Sequence, residues 1–332
     1  MLFTQQQPSS PAAPPPPTMP SPIPVTRLLP RDIYPCQSSG PTAESPAGSG
    51  PRWSTGRSCA PSSRWAPEGS ALCTGRSTSG ETVALKRVKK CTKNKLASRQ
   101  SFWAELNAAH LRHTNIVRVL AATTCVPAGF GDDSSIGTIL MEFVGSRNLQ
   151  QIIYGCAELL WDERWPRYST DIAHGLRFLH SHSVVHLDIK PANVLVSSQD
   201  VCKIADFGCS VKLDRGCEVS AHLSHVGGTY THRAPELLKG EGVSPKADIF
   251  SFGITLWQLI TREQPYTGDR QHVLYAVVAH NLRPCVQQHP AFLSEQGRLC
   301  RTLLSRCWSA EGRCRPSAQE LLPHLEQLRS QM

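Results

Sequence analysis

Alternating apolar and polar residues along the middle of the chain predict several short strands. Residues 83–86 alternate as a half-buried strand does, and residues 138–144 form an apolar run that contains one acidic side chain. Residues 194–196 and 201–204 are two further apolar runs, and the polar segment 197–200 between them has the composition of a tight turn. This last pattern predicts a hairpin, and the residues before its first strand and after its second strand would lie side by side at its open end.

Helical periodicity appears between and after these strands. Phe102, Leu106 and Ala109 fall on one stripe of a helix whose first turn is expected near Ser101. The same periodicity predicts further helices over residues 149–153, 168–182, 247–260 and 313–328.

Residues 1–64 lack this patterning. They are rich in Pro, Ser and Gly and contain few large apolar side chains, so they cannot bury enough surface to offset their chain entropy. Much of the chain's high content of 26 Pro and its modest apolar fraction of 40% comes from its first eighty residues. We predict a disordered segment over residues 1–64 and a folded domain over residues 65–330.

Composition excludes several classes of protein. Thirteen Cys, an odd and scattered number, fit a reducing compartment better than a disulfide framework. The seven-residue spacing of Cys300, Cys307 and Cys314 favours one side of a C-terminal helix over a metal site. No run approaches the about eighteen apolar residues of a transmembrane helix. The net charge of +9 suits acidic partners, and we expect a cytoplasmic protein without a membrane partner.

The candidate chemistry lies between His186 and Gly208. Asp188, Lys190 and Asn193 follow one another closely, and Asp206 comes eighteen residues after Asp188. The predicted hairpin would place Asn193 beside Asp206, and an amide next to a carboxylate makes the oxygen-rich site that Mg²⁺ prefers. Asp188 would lie one loop away, where its carboxylate can accept a hydroxyl proton.

This segment resembles the catalytic loop and the Asp-Phe-Gly motif of protein kinases. A lone Asp-Phe-Gly would be no more than a turn, but four groups at the family's spacing are specific. The resemblance implies an α+β fold with two lobes, a small β-rich N-lobe and a larger helical C-lobe. It also implies an ATP-dependent protein kinase, and Lys190 at its position favours serine/threonine over tyrosine specificity.

The resemblance also implies a role for each residue of the site. Asp188 would orient and deprotonate the substrate hydroxyl, and Lys190 would steady the transferred phosphoryl group. Asn193 and Asp206 would hold Mg²⁺. The remaining residues expected to bind ATP are Lys86, which would contact the α- and β-phosphates, its ion-pair partner Glu105, and Ala84, Met141, Glu142, Val144 and Leu195.

Residues outside the cleft are expected by resemblance to hold this machinery in place. Glu236, in an Ala-Pro-Glu run, would pair with Arg315. Thr229 would contact Asp188 and Lys190, and Asp248 would accept amide hydrogens from the catalytic loop.

One position predicts how the kinase is regulated. Leu187 stands where kinases that need a phosphorylated activation segment have an arginine for the phosphate. Activity should therefore not depend on phosphorylation of Ser220 or Ser224.

Runs outside the general motifs resemble the Mos family of serine/threonine kinases. They are residues 91–94, 101–106, 206–210, 227–233 and 270–278. The resemblance covers residues 83–328 and implies a monomer that phosphorylates a MAP kinase kinase. That reaction would act upstream of the MAP kinase cascade in oocyte meiotic maturation and metaphase arrest. Residues 19–22 resemble the family's start, which would make residues 1–18 an upstream extension.

The family's Gly-rich loop is missing from the sequence. No Gly-x-Gly-x-x-Gly run precedes Lys86, although glycine is what lets backbone amides approach phosphates closely. Its place is taken by residues 65–74, Trp-Ala-Pro-Glu-Gly-Ser-Ala-Leu-Cys-Thr. The codons CTG GGC TCC GGA GGG TTC GGC TCT GTG TAC G encode Leu-Gly-Ser-Gly-Gly-Phe-Gly-Ser-Val-Tyr, and read one base late they encode that peptide. We hypothesise that residues 65–82 are a frame-shifted Gly-rich loop.

Two alternatives remain open. If the written loop is real, the chain would be a catalytically impaired, kinase-shaped scaffold. The basic run over residues 86–95 could instead bind nucleic acid, although such a run is more often a solvated loop.

Overall fold

The computed structural model describes residues 70–76, 82–89, 95–124, 135–155, 161–213 and 229–330. Several predictions concern residues outside these ranges and stay predictions. They are the disordered segment 1–64, the start of the loop region at 65–69, the basic residues 90–94, and the serines at 220 and 224.

The first part of the described chain is an antiparallel sheet with one helix packed against it. The elements are β1 (Ser70–Arg76), β2 (Thr82–Lys89), α1 (Lys95–Asn107), β3 (Val119–Thr123) and β4 (Ser135–Glu142). The strand order is β1-β2-β4-β3, and in the β2–β4 register Ala84 lies beside Met141. The strands predicted over residues 83–86 and 138–144 are confirmed, with shifted ends.

A small apolar core holds α1 onto the sheet. Phe102 is fully buried and packs with Val88, Leu106 and Ile139. Gly137 permits this approach, because a Cβ there would come within 2.8 Å of the Phe102 ring and 2.6 Å of a backbone oxygen. The prediction that α1 begins near Ser101 is wrong by about two turns, since the helix begins at Lys95.

The second part is helical apart from short strand pairs. The predicted hairpin is confirmed as β7 paired with β8. The elements are β5 (Arg147–Asn148), α2 (Leu149–Tyr154), α3 (Trp161–Ser181), β6 (Val184–Val185), β7 (Val194–Val196), β8 (Cys202–Ile204), β9 (Val211–Lys212), α4 (Pro235–Leu238), α5 (Lys246–Thr261), α6 (Arg270–Ala279), α7 (Glu295–Cys307) and α8 (Ala318–Ser330).

Helix α5 runs through the middle of this lobe, and nearly all of its residues are buried. Together with α3 it forms one apolar core that also takes in α7 and α8. Cys300 and Cys307 are buried on α7, as their spacing predicts. Cys314 is not on that helix; it is exposed on a short 3₁₀ turn, so the prediction of a single cysteine face is only partly right.

The two lobes are joined by more than the chain that follows β4. Ile116, in the segment after α1, forms a bridge with Ile204 of β8. The Val117 N–H donates to the Ile204 carbonyl over 2.9 Å, and the Ile204 N–H donates to the Asn115 carbonyl over 2.8 Å. These bonds fix β8, the strand that leads into Asp206, against the N-lobe.

Within the described ranges, no helix is long and apolar enough to cross a bilayer.

Candidate active site

Four contacts hold Asp188 in place in the loop after β6. Asn193 Nδ2 donates to the Asp188 carbonyl at 2.9 Å and to its Oδ2 at 2.8 Å. Lys190 Nζ lies 2.9 Å from the same Oδ2, and the Thr229 N–H donates to Oδ1 at 2.8 Å. The carboxylate is therefore oriented from both sides before any substrate binds.

Asp248, which is fully buried in the first turn of α5, supports this loop. Its Oδ2 accepts the His186 N–H and its Oδ1 the Leu187 N–H, each at 2.8 Å, and His180 Nε2 lies 3.0 Å from Oδ2. Leu187 has a left-handed backbone with φ of 64°, which is unusual for a buried leucine. The two hydrogen bonds from backbone N–H groups to Asp248 hold the chain in that conformation. This is the role that was predicted for Asp248.

The β7–β8 hairpin brings Asn193 and Asp206 to its open end. The two ends are joined by the Ala205 N–H, which donates to the Asn193 carbonyl at 2.8 Å. Asp206 has φ of 64° and ψ of 72°, and its Oδ1 accepts the Gly208 N–H at 3.4 Å. This local turn aims the Asp206 carboxylate at Lys86.

Lys86, which is buried, joins the two lobes through two ion pairs. Its Nζ lies 2.8 Å from Glu105 Oε1 on α1 and 2.6 Å from Asp206 Oδ1. The other oxygen of Glu105 accepts the Phe207 N–H at 3.0 Å. The predicted pair of Lys86 and Glu105 is therefore present, and it also fixes the backbone that carries Asp206.

Burial and the charge of the ion-pair partner shift the pKa values of Lys86, Asp206 and Glu105 in opposite directions. Burial alone would lower the pKa of Lys86, but the carboxylates of Asp206 and Glu105 raise it above its ordinary value. Burial would raise the pKa of Asp206, yet the Lys86 ammonium lowers it. For Glu105, burial raises the pKa more than Lys86 lowers it. Lys86 and Asp206 are therefore charged, and the cluster has a cation between two acids.

Phe207 anchors the Asp-Phe-Gly turn. Its ring is buried and meets the His186 ring edge-on at 5.0 Å between centroids. His186 Nε2 lies 3.0 Å from the Ala205 carbonyl. A Cβ on Gly208 would lie 2.4 Å from Ser101 Oγ, so a larger residue at that position would require the Ser101 hydroxyl to rotate away.

The residues expected at the adenine ring gather on an apolar surface between the lobes. Ala84, Met141 and Val144 are buried in one cluster, and Leu195 of β7 packs on it from the C-lobe. Glu142 lies at the end of β4, where its Oε1 accepts the Arg118 N–H at 2.8 Å and pairs with Lys203 at 3.0 Å.

These residues fit ATP with Mg²⁺. Asn193 Nδ2 is engaged by Asp188, which leaves its Oδ1 as the oxygen for a hard cation, and Asp206 contributes a carboxylate beside it. Lys86 places a buried positive charge next to that carboxylate, as a phosphate group needs. The apolar cluster above them suits a flat base.

Further along the chain, Arg315 anchors Glu236 of α4. Its NH1 and NH2 donate to the two oxygens of Glu236 at 2.6 and 2.7 Å. The same guanidinium donates to the Lys246 and Ser309 carbonyls, each at 2.9 Å. The predicted pair of Glu236 and Arg315 is confirmed, as is the contact of Thr229 with Asp188 and Lys190.

Comparison with known proteins gives the same assignment. The family model "Protein kinase domain" matches residues 68–325. The serine/threonine-protein kinase mos of Xenopus laevis is 51% identical over 339 aligned residues, which cover 93% of each chain. The Gallus gallus kinase mos is 52% identical, and the Sus scrofa proto-oncogene serine/threonine-protein kinase mos is 53% identical. Each alignment covers 76% of both chains.

The chain belongs to the Mos family of serine/threonine protein kinases. It is an ATP-dependent enzyme with the α+β kinase fold that the sequence predicted. Membership in the Mos family implies ATP and Mg²⁺ as cosubstrate and cofactor and a protein as phosphate acceptor.

Sequence reasoning missed three contacts of this Mos-family site. They are the bond from Phe207 N–H to Glu105, the pair of Lys203 with Glu142, and the bond from Arg118 N–H to Glu142. Each joins residues at least 24 positions apart, and no local pattern in the sequence marks such a contact.

Proposed function

We propose that Asp188 is the group that orients and deprotonates the substrate hydroxyl. The observation that supports this most directly is its buried carboxylate, held by Asn193, Lys190 and Thr229 at the end of the loop. A carboxylate oriented in this way can accept the hydroxyl proton as the oxygen attacks. Lys190, which contacts the same carboxylate, would steady the transferred phosphoryl group.

The metal and nucleotide ligands follow from the same arrangement. Asn193 and Asp206 would bind Mg²⁺, which neutralises charge on the phosphates. Lys86, positioned by Glu105, would bind the α- and β-phosphates. Ala84, Met141, Val144 and Leu195 would surround the adenine, with the backbone of Glu142 and Val144 supplying its hydrogen bonds.

Replacement of Asp188 and Lys86 tests these roles. Asp188→Asn and Lys86→Arg should each lower phosphate transfer by about a hundredfold or more, because one removes the proton acceptor and the other misplaces the phosphates. Circular dichroism should show that both variants fold. Lys239→Arg, an exposed lysine paired with Glu241 at 3.7 Å, is the matched control and should be fully active. Full activity of Asp188→Asn would refute the assignment.

For the biological substrate, we infer a MAP kinase kinase from membership in the Mos family. The chain would act as a cytoplasmic monomer upstream of the MAP kinase cascade, in oocyte meiotic maturation and metaphase arrest. Purified protein should transfer phosphate from ATP to serine or threonine of a catalytically inactive MAP kinase kinase. If it phosphorylates a generic protein acceptor but leaves that substrate unmodified, the cascade assignment fails while the kinase assignment stands.

A kinase-shaped scaffold is the second candidate, favoured by one observation. No Gly-x-Gly-x-x-Gly run precedes Lys86, so the written sequence lacks the usual backbone cradle for the β- and γ-phosphates. Sequencing the transcript across the codons for residues 50–82 tests the frame-shift hypothesis, and ATP turnover by protein of the written sequence tests the scaffold. Turnover equal to that of a version with a restored loop would exclude the scaffold.

A further inference from the structure

The turn beside the catalytic carboxylate is fixed at both of its ends. Before its start, the Thr229 N–H donates to Asp188 Oδ1 at 2.8 Å. At its end, the Ser251 hydroxyl of α5 donates to the His232 carbonyl at 2.8 Å. The 3₁₀ turn Tyr230–His232 therefore connects the residue that binds Asp188 to the core of the C-lobe.

A chain of four side chains runs from this turn to α2. His232 Nδ1 lies 2.9 Å from the Thr231 hydroxyl, and His232 Nε2 lies 2.7 Å from Gln258 Oε1 on α5. Gln258 Nε2 donates to the Tyr154 hydroxyl at 2.6 Å, and that hydroxyl donates to the Glu263 carbonyl at 2.9 Å. His232 and Gln258 are buried, and Thr231 at the end of the chain is half-buried.

The chemistry of these groups sets the direction of each hydrogen bond in the chain. The Glu263 carbonyl can only accept, so the Tyr154 hydroxyl donates its proton there and accepts from the Gln258 amide. The oxygen of that amide faces His232, so Nε2 of the ring donates. A neutral imidazole has one N–H, which leaves Nδ1 as the acceptor of the Thr231 proton.

The His232 ring is neutral at neutral pH. Burial lowers its pKa to about 4, although the Gln258 hydrogen bond and the Asp188 carboxylate act in the opposite direction, and Lys190 lowers it further. The Thr231 hydroxyl therefore donates inward to a neutral ring. Its oxygen can then only accept a hydrogen bond from any further partner.

The Thr231 oxygen lies near the place where a substrate would bind. Consecutive Cα atoms are about 3.8 Å apart, so the Cα of Thr231 is within about 8 Å of that of Thr229, the residue bound to Asp188. A peptide whose hydroxyl lies at Asp188 can thus bring a neighbouring backbone N–H to this oxygen. Every residue of a peptide except proline has such a donor.

We propose that His232 is a positioning residue, which presents the Thr231 oxygen to the protein substrate as the acceptor for a backbone N–H next to the phosphorylated residue. The inference rests on the proposed role of Asp188 as the group that binds the substrate hydroxyl. It does not depend on a MAP kinase kinase as the substrate.

Thr231→Val tests the contact itself, because it removes the hydroxyl and keeps the branched shape of the side chain. With the full-length chain and a peptide that contains one serine, KM for the peptide should rise about fivefold, the size of one hydrogen bond. KM for ATP should stay unchanged. Thr302→Val makes the same change at an exposed position on α7 and should behave as the wild type. An unchanged peptide KM in Thr231→Val would overturn the proposal.

Gln258→Glu tests the role of His232, because it keeps the size of the side chain and reverses the direction of the bonds. A carboxylate beside Nε2 should raise the pKa of His232 and keep the ring protonated at neutral pH. Nδ1 would then donate to Thr231, whose proton would face the N–H of the peptide. Peptide KM should rise at least as much as in Thr231→Val and fall again as pH rises through the new pKa of the ring.

A merely structural role of His232 predicts no such pH dependence of the peptide KM. The double variant Gln258→Glu, Thr231→Val should have the peptide KM of Thr231→Val alone, because the group that His232 orients is then absent. Gln319→Glu adds the same charge at an exposed site on α8 and should match the wild type at each pH. Effects of the two changes that multiply would overturn the role of His232.

Nitrogen NMR of histidine-labelled protein gives a readout that needs no turnover. His232 should be the neutral Nε2–H tautomer in the wild type and protonated at both nitrogens in Gln258→Glu. An Nδ1–H tautomer in the wild type would overturn the proposal. If the urea midpoint shows that Gln258→Glu does not fold, Thr231→Val and the wild-type tautomer decide the question. Full activity of Asp188→Asn would instead refute the proposed catalytic role and leave the hydrogen-bond chain standing.

Discussion

Asp248 determines the shape of the catalytic loop although it lies behind the residues that would touch the substrate. Its two oxygens accept hydrogen bonds from the consecutive N–H groups of His186 and Leu187, and Oδ2 also lies 3.0 Å from His180 Nε2. A carboxylate can accept from all three donors, whereas an amide offers one oxygen and adds an N–H group that would face a donor. Two acceptor oxygens, which an amide of the same size lacks, are what the site requires.

Asp248→Asn should destabilise the protein by about 2–4 kcal/mol, because one buried amide loses its acceptor and meets a donor instead. Urea denaturation measures the loss of unfolding free energy. The kcat of the variant should also fall, because the loop around His186 and Leu187 loses its shape. Asp269→Asn makes the same change at the exposed start of α6, where Asn is an equally good cap, and should leave the urea midpoint almost unchanged. Equal effects of the two changes would contradict this account.

Residues close together in the chain were the easiest to assign from sequence. Asp188, Lys190 and Asn193 lie within six positions, so their spacing alone places their side chains together in one loop. Glu142 was expected to contribute only its backbone, yet its side chain binds Lys203 and the Arg118 amide. Such contacts depend on how two distant strands meet, and spacing along the chain does not record that.

At the scale of elements, Arg315 connects three segments of the C-lobe. It joins the 3₁₀ turn at Gly312–Cys314, the start of α5 at Lys246, and Glu236 on α4. Its guanidinium also packs on Phe250, with Cζ 5.1 Å from the ring centroid. A planar group with five donors can satisfy all of these partners at once.

Arg315→Lys should therefore cost about 3 kcal/mol of unfolding free energy, since an ammonium cannot bind both Glu236 oxygens and the two carbonyls. Arg313→Lys is the control two residues away. Arg313 is exposed and pairs only with Glu311 among the described residues, at 2.7 Å, so its replacement should not shift the denaturation midpoint. If Arg315→Lys left the free energy of unfolding unchanged, the three segments would be held by packing alone.

The activation segment gives a prediction about regulation. Leu187 is buried and has no charge to offer a phosphate. The double variant Ser220→Ala, Ser224→Ala should have nearly the same kcat as the wild type. The kcat is measured on a peptide substrate, with both proteins expressed in the same host. Both serines lie outside the described residues, and a large loss of kcat would mean that another cation receives their phosphate.

Element boundaries were predicted less well than element types. Helix α3 was expected from Tyr168, but it begins at Trp161 and includes Pro166. The apolar stripe of Ile172, Leu176 and Leu179 lies beyond Pro166, so it does not mark the earlier start. The Ser169 and Thr170 hydroxyls donate to the Pro166 carbonyl at 2.8 Å, and packing of the buried Trp165 supports the two additional turns.

At the scale of the whole molecule, among the residues whose burial is described, both apolar cores are formed by residues after position 83. A chain that starts at residue 65 should therefore retain the urea midpoint and the kinase activity of the full chain, which tests the domain boundary. A chain that starts at residue 95 also loses β2 and Lys86, and it should be inactive. If removal of residues 1–64 lowered the midpoint, that segment would contribute to the fold.

The bridge between Ile116 and Ile204 has a consequence for inhibitors. It ties the segment after α1 to β8, the strand that precedes Asp206, so a compound that displaces this segment would also move Asp206, which we propose binds Mg²⁺. Such a compound and the nucleotide would then change each other's binding affinity, and linkage requires the same factor in both directions.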